Sequence, residues 1–223
     1  MSESDWPELT FPDLEAECLR QAYSTARVIL EYGSGGSTVM AAQMMGKLVL
    51  SVESDRVWAR RLQARIDELG TQSPATVLHV DIGETGEWGR PLGPNHWPKF
   101  HRYPVWVWSE PGFRHPDVVL IDGRFRPACM IATMALCKRP VTVLFDDYKD
   151  RRPYHSIEHF IQPRDIVGRM AVFDIEPGIV SLDDLPLILS FFSRATYDKQ
   201  PTRYDVVDPL ITETIAQSME AIQ

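Results

Sequence analysis

Residues 28–40 read Val-Ile-Leu-Glu-Tyr-Gly-Ser-Gly-Gly-Ser-Thr-Val-Met. A short apolar run stops at an acid, Glu31. A glycine-dense turn follows, and the Ser37-Thr38 pair opens an amphipathic segment. The pattern reads as a buried strand, a tight turn and a helix N-terminus. Such a turn leaves backbone N–H groups unpaired at the positive end of a helix dipole, which suits a polar or anionic ligand. Gly33 and Gly35 permit backbone angles and close approaches that a Cβ blocks. The letters fit a loop that holds a nucleotide-like molecule, and they also fit a glycine turn with no ligand.

The text on either side extends the pattern. A helix from Thr38 to Met45 ends at Gly46, and Lys47 to Val52 is a second apolar run that stops at Glu53. Asp55 caps a helix whose Trp58, Leu62, Ile66 and Leu69 repeat at helical spacing before Gly70. Ala75 to Val80 is a third strand, followed by Asp81 and Ile82. Asp117 to Ile121 is a fourth, ending at Asp122-Gly123, and Val141 to Phe145 is a fifth, ending at Asp146-Asp147. Any one of these acids reads equally well as a loop residue or helix cap. Five in succession point to one crevice, because open parallel sheets bind ligands beyond the carboxyl ends of their strands.

The dinucleotide pattern Gly-x-Gly-x-x-Gly fails at Thr38. The spacing Glu31-x-Gly33-x-Gly35 instead resembles the first motif of class I S-adenosylmethionine-dependent methyltransferases. It departs from that motif at Ser37, where a third glycine often stands. The resemblance covers roughly residues 14–176. It implies an α/β, Rossmann-like fold with a mostly parallel seven-stranded sheet, an antiparallel C-terminal edge strand and helices on both faces. It also implies S-adenosylmethionine as cofactor. The loop residues Glu31, Gly33, Ser34 and Gly35 would bind it, with the Gly33 and Gly35 backbone against the methionine moiety. Glu53 would meet the ribose, Asp81 with the adjacent Ile82 the adenine end, and Asp122 the methionine end. Trp88 reads either as an adenine-stacking residue or as packing.

Asp122, Asp146, Asp147 and Arg124 are the catalytic candidates. In the resemblance to catechol and caffeoyl-coenzyme A methyltransferases, Asp122, Asp146 and Asp147 match a metal triad by residue type, suited to Mg²⁺ or Ca²⁺. Gly123-Arg124 sets a cation beside them, and a positive side chain so close can replace a metal. Arg124 and Arg126 fit two roles: clamping a carboxylate or phosphate of the substrate, or neutralising the aspartates. The expected reaction is methyl transfer to a small molecule, with acidic acceptors and O-methylation both included. No Asn-Pro-Pro-Tyr motif argues for amide or adenine methylation. A non-catalytic cofactor-binding protein, a dinucleotide oxidoreductase and an aminopropyl transferase remain open as alternatives.

Composition bounds the rest. The chain of 223 residues carries a formal net charge of −8 and no run of Lys or Arg, so nucleic acid is an unexpected partner. Its length matches one decorated α/β domain spanning 1–223. Cys18, Cys129 and Cys137 lack metal-ligand spacing and read as free thiols of a reducing compartment, and residues 1–6 do not read as a secretory signal. No apolar stretch is long enough to span a bilayer, so the expected location is cytoplasmic, without a membrane. Residues 83–115, with Trp88, Trp97, Trp106 and Trp108, read as a Trp/Pro-rich lid. His96 and His101 there are weighed as general bases against surface residues. His155 and His159 share a helical face as half-exposed residues. Leu185 to Phe192 fits helix or strand. A C-terminal helix at 210–222, with its Ile211, Ile215, Met219 and Ile222 stripe, would dock on the body or on a second subunit in a homodimer.

Overall fold

A computed structural model describes residues 8–198. The expected strands form at their expected places. They are β1 (Val28–Tyr32), β2 (Leu48–Glu53), β3 (Ala75–His79), β4 (Val118–Ile121) and β5 (Val141–Phe145). Two more follow, β6 (Asp165–Val167) and β7 (Met170–Ile175). The seven lie in one sheet in the order β3-β2-β1-β4-β5-β7-β6. The first five are parallel, and β7 is antiparallel to both β5 and β6. β7 starts at the carboxyl end of β5, with Ala171 opposite Phe145, so it can run back without a crossover. Gly168, at φ +58°, turns β6 into β7.

Strand alternation sends successive side chains to opposite faces. Leu30, Tyr32, Val52, Val119, Ile121 and Phe145 face one way, and Ile29, Val49, Leu120 and Leu144 face the other. The second face is covered by α1 (Asp13–Thr25), α2 (Gly36–Gln43) and α3 (Arg56–Leu69) through Leu19, Tyr23, Ala41, Leu62 and Ile66. In α1 the buried stripe runs through Ala16, Leu19 and Tyr23, while Leu14 is exposed. Asp55 caps α3 by accepting from the Val57 and Trp58 N–H groups, and Gly70 closes it at φ +59°.

The first face is covered by α4 (Trp97–Phe100), α5 (Arg102–Val105), α6 (Arg126–Leu136) and α7 (Leu185–Phe192). α6 is buried almost throughout, as its uniform hydrophobicity predicts. Leu185–Phe192 resolves as helix, and residues 152–159 as a 3₁₀ turn rather than an α-helix.

Within 83–115, Phe100, Tyr103 and Val107 belong to the core. Tyr32 donates to the Pro104 carbonyl (2.6 Å), and the Trp108 indole donates to the Tyr32 hydroxyl (2.8 Å). The second half of this segment is therefore fixed to the sheet. Among the described residues no helix is long and apolar enough to cross a membrane. The helix expected at 210–222 lies outside the described residues.

Candidate active site

Strand register aligns the tips. Tyr32 stands opposite both Val52 and Ile121, and Ile121 opposite Phe145. The next residue of each strand therefore falls in one row: Gly33, Glu53, Asp122 and Asp146. The row crosses the point where strand order reverses, between β1 and β4, where open sheets bind ligands. A cavity of about 370 Å³ opens there. Its walls include Gly33 to Ser37, Glu53 to Asp55, Trp58, Trp88, Gly89, Tyr103 and Asp122 to Arg124. That volume lies within the ~300–1,000 Å³ usual for small-molecule sites.

The two strand-tip loops touch. Gly33 has φ +101°, and a Cβ there would sit 2.7 Å from Gly123 Cα. A Cβ on Gly123 would in turn meet the Tyr103 hydroxyl. Gly35 differs, because its φ is near 180° and a Cβ would meet nothing within 4 Å. Its missing side chain leaves open room on the cavity wall. At Gly36 a Cβ would strike the backbone of Glu8 and Leu9, because the segment Glu8–Phe11 crosses the loop and forms part of the wall.

Glu53 is buried at the cavity edge. One carboxylate oxygen accepts from the Ser34 hydroxyl (2.8 Å), the other from the Ser54 and Asp55 N–H groups (2.7 and 2.9 Å). Ser54 Oγ donates to the Gly89 carbonyl (2.8 Å), which ties the turn after Trp88 to the tip of β2. Trp88 is 73% exposed and lines the cavity. Opposite the loop, the Trp58 indole donates to the Ser34 carbonyl (2.9 Å) and also forms wall.

Three expected cofactor contacts lie off this wall. Glu31 shares a strand face with Ile29, so its carboxylate points under the loop. There it accepts from Tyr23 (2.8 Å) and Thr38 (2.5 Å), and Thr38 Oγ1 also accepts from the Gly35 N–H (3.0 Å). Burial raises the Glu31 pKa against these hydrogen bonds. Its role is to brace the loop. Asp81 accepts from Lys99 (2.7 Å) and from the Gly83 N–H, and these bonds hold its carboxyl below the usual range. Ile82 is core.

Beside the cavity, Asp122, Asp146 and Asp147 bring carboxylate oxygens within 4.8 Å of one another, as a metal triad would. The remaining geometry belongs to guanidinium groups. Arg169 grips Asp146 with two bonds (2.9 and 3.0 Å) and lies 3.3 Å from Asp147. Arg126 reaches Asp122 (2.9 Å) and Asp147 (3.3 Å) and donates to the Asp146 and Asp122 carbonyls. Arg151 pairs with Asp147 at 2.7 Å. The donor set does not fit a Mg²⁺ or Ca²⁺ ion, because three cations already neutralise the three acids. Asp146 is fully enclosed, so of the catalytic candidates only Asp122 and Arg124 meet the cavity. Burial, with Asp146 and Asp147 nearby, pushes the Asp122 carboxyl up to about 7 despite Arg126.

Between the two arginines weighed from sequence, Arg126 takes the neutralising role. Arg124 forms no ion pair among the described residues and stands on the cavity wall. Burial holds its pKa below the ordinary arginine value, and the charges of Arg126 and Arg90 act in the same direction. Sequence reasoning missed Trp58, Tyr103, Arg169 and the Glu8–Phe11 segment. Trp58 sits on a helical apolar stripe and reads as core. Arg169 reaches the triad from the β6–β7 turn, for which no local signal exists.

The chain matches known structures at this point. A methyltransferase-like protein from Silicibacter pomeroyi is 48% identical over 84% of this chain and 98% of its own, with a TM-score of 0.81. An RNA methyltransferase from Salinibacter ruber, in complex with S-adenosyl-L-homocysteine, is 15% identical over 78% of this chain and 98% of its own. Its TM-score is 0.42. No protein-family model and no curated protein matches the sequence. The chain belongs to the class I S-adenosylmethionine-dependent methyltransferases.

Proposed function

We propose that the cavity at the β1/β4 switch point binds S-adenosylmethionine and that the protein transfers its methyl group to a small-molecule acceptor. The observation that carries this reading is the shared wall: Gly33 to Ser37, Glu53 and Asp122 to Arg124 all border one cavity. Glu53 is suited to accept from the ribose hydroxyls, Trp88 and Trp58 to flank the adenine, and the loop N–H groups to meet the methionine end. The net charge of −8 favours a small acceptor over a nucleic acid. Three free cysteines fit a reducing, cytoplasmic setting.

Methyl transfer is an in-line displacement. The acceptor lone pair forms the new bond to carbon, and the S–CH₃ bond breaks with its electrons staying on sulfur. The acceptor then loses a proton. Alignment supplies most of the acceleration, and Asp122, titrating near neutrality on the cavity wall, is the candidate base. No step requires a metal.

Calorimetry of S-adenosylmethionine, S-adenosylhomocysteine and NAD with wild type and Glu53→Ala tests the reading. We expect both sulfur compounds to bind, NAD not to bind, and Glu53→Ala to weaken binding at least tenfold. Unchanged affinity in Glu53→Ala would remove the ribose assignment, and NAD binding alone would overturn the cofactor.

A further inference from the structure

Adjoining the cofactor cavity is a second hollow of about 240 Å³, and Gly123 and Arg124 line both. Five arginines border it: Arg90, Arg124, Arg126, Arg151 and Arg194. They come from distant parts of the chain: the turn after Trp88, the start of α6, the loop after β5 and the segment after α7. Among the described residues no Asp or Glu lies on this wall, in a chain with a net charge of −8. Tyr154 and Thr196 add hydroxyls, and Pro91, Pro127 and Pro153 stiffen the rim.

Arg126 and Arg151 have carboxylates behind them in Asp122 and Asp147. Arg90, Arg124 and Arg194 form no ion pair among the described residues; the Arg194 guanidinium donates to the Ser156 and Ser190 hydroxyls and lies 4.8 Å over the Phe191 ring. The Nε atoms of Arg90 and Arg124 are buried without a hydrogen-bond partner among the described residues. Buried donors of this kind are rare unless something answers them. Arginine stems do pack as apolar cover, but that role does not require Arg90, Arg124 and Arg194 to line one hollow with no acid paired to them among the described residues. Like charges held this closely repel, and an oxyanion relieves the repulsion with bidentate, charge-assisted bonds.

We infer that this arginine-walled hollow is the acceptor subsite and that it takes a small molecule bearing an oxyanion, a carboxylate or phosphate. The inference rests on the methyl-transfer reading for the role of acceptor, but not for the binding of an anion. The shared Gly123–Arg124 wall sets such an acceptor directly beside the cofactor. Arg124 then aligns the acceptor, and Arg90 and Arg194 hold its charged end.

Inorganic phosphate and succinate, each titrated by calorimetry at constant ionic strength with and without saturating S-adenosylhomocysteine, test the subsite. We expect one site per chain for at least one of the two anions, and the preferred one identifies the head group. Arg90→Met and Arg194→Met should each weaken that anion at least tenfold. Arg124→Lys, which keeps the charge but loses the fork, should weaken it less. The exposed Arg102→Met should behave as wild type, and S-adenosylhomocysteine affinity should stay within twofold in Arg90→Met, Arg194→Met and Arg102→Met. Absence of anion binding in both titrations, or anion binding unaffected by Arg90→Met and Arg194→Met, overturns the subsite. Binding of a single-stranded RNA oligonucleotide, weakened by these variants while neither small anion binds, also overturns it. Failure to bind S-adenosylhomocysteine with anion binding intact overturns the methyl-transfer reading alone.

Discussion

Two glycines of one loop do different work, and substitution separates them. Gly33 is held at φ +101° against Gly123, so Gly33→Ala should cost about 2 kcal/mol or more of stability, read by chemical denaturation. A methyl on Gly35 meets nothing in the protein, so Gly35→Ala should fold with wild-type stability to within ~1 kcal/mol. It should nonetheless bind S-adenosylhomocysteine at least tenfold more weakly, because its Cβ enters the cofactor's room. Asp122 makes a prediction about pH. Its raised pKa means the native state keeps a proton that the unfolded chain releases between about pH 4 and pH 7. Its contribution to stability therefore falls as pH rises through that window. In melts from pH 5 to 8, wild type should lose ground relative to Asp122→Asn. As a base it acts only when ionised, so kcat/KM should climb through about pH 7. In Asp122→Asn it should be ~10²–10⁴-fold lower with that limb gone.

At the scale of elements, the connection from β3 to β4 is two things in sequence. Its second half, carrying Phe100, Tyr103 and Val107, is core, so the whole segment cannot swing as a lid. Its first half touches the sheet through Gly89 on Ser54 and through Lys99 on Asp81. The Lys99–Asp81 pair is well exposed, and such pairs contribute about 0–1 kcal/mol. Asp81→Asn should therefore leave stability nearly unchanged. Since Asp81 lies off the cavity wall, S-adenosylhomocysteine affinity should stay within twofold. A tenfold loss would restore the adenine contact that the sequence resemblance implies.

Across the whole molecule, the acid cluster joins β4, β5, α6 and the β6–β7 turn. Arg126 is buried at its centre, bonded to Asp122, Asp147 and the carbonyls of Asp122, Gly123 and Asp146. Arg126→Met removes the partner of the half-buried Asp122 carboxylate and the buried donor to the surrounding carbonyls, and should cost about 3–5 kcal/mol, read as a lowered denaturation midpoint. Because guanidinium groups fill the place of a cation, chelation with EDTA should leave methyl transfer unchanged. An activity that required added Mg²⁺ would contradict this arrangement.

Strands, their order of appearance and their acidic ends were legible in the sequence, because apolar runs of five or six residues bounded by turns have few alternatives in a chain this size. Cofactor class was legible for the same reason: a glycine loop leaves a local trace. Which acids face the ligand was not. Glu31 and Glu53 carry the same letter on the same face of neighbouring strands, yet Glu31 pairs with Ser51, two positions short of the β2 tip, so its carboxylate lies beneath the loop while that of Glu53 reaches the cavity edge. Nor could spacing foresee that Arg169 and Arg126 would close the triad, or that Arg90 and Arg194 would meet across a hundred residues. Local pattern fixes what each segment becomes, since backbone sterics and hydrophobic periodicity act over a few residues. Only the folded chain decides which charges become partners, since pairing depends on distances that packing sets.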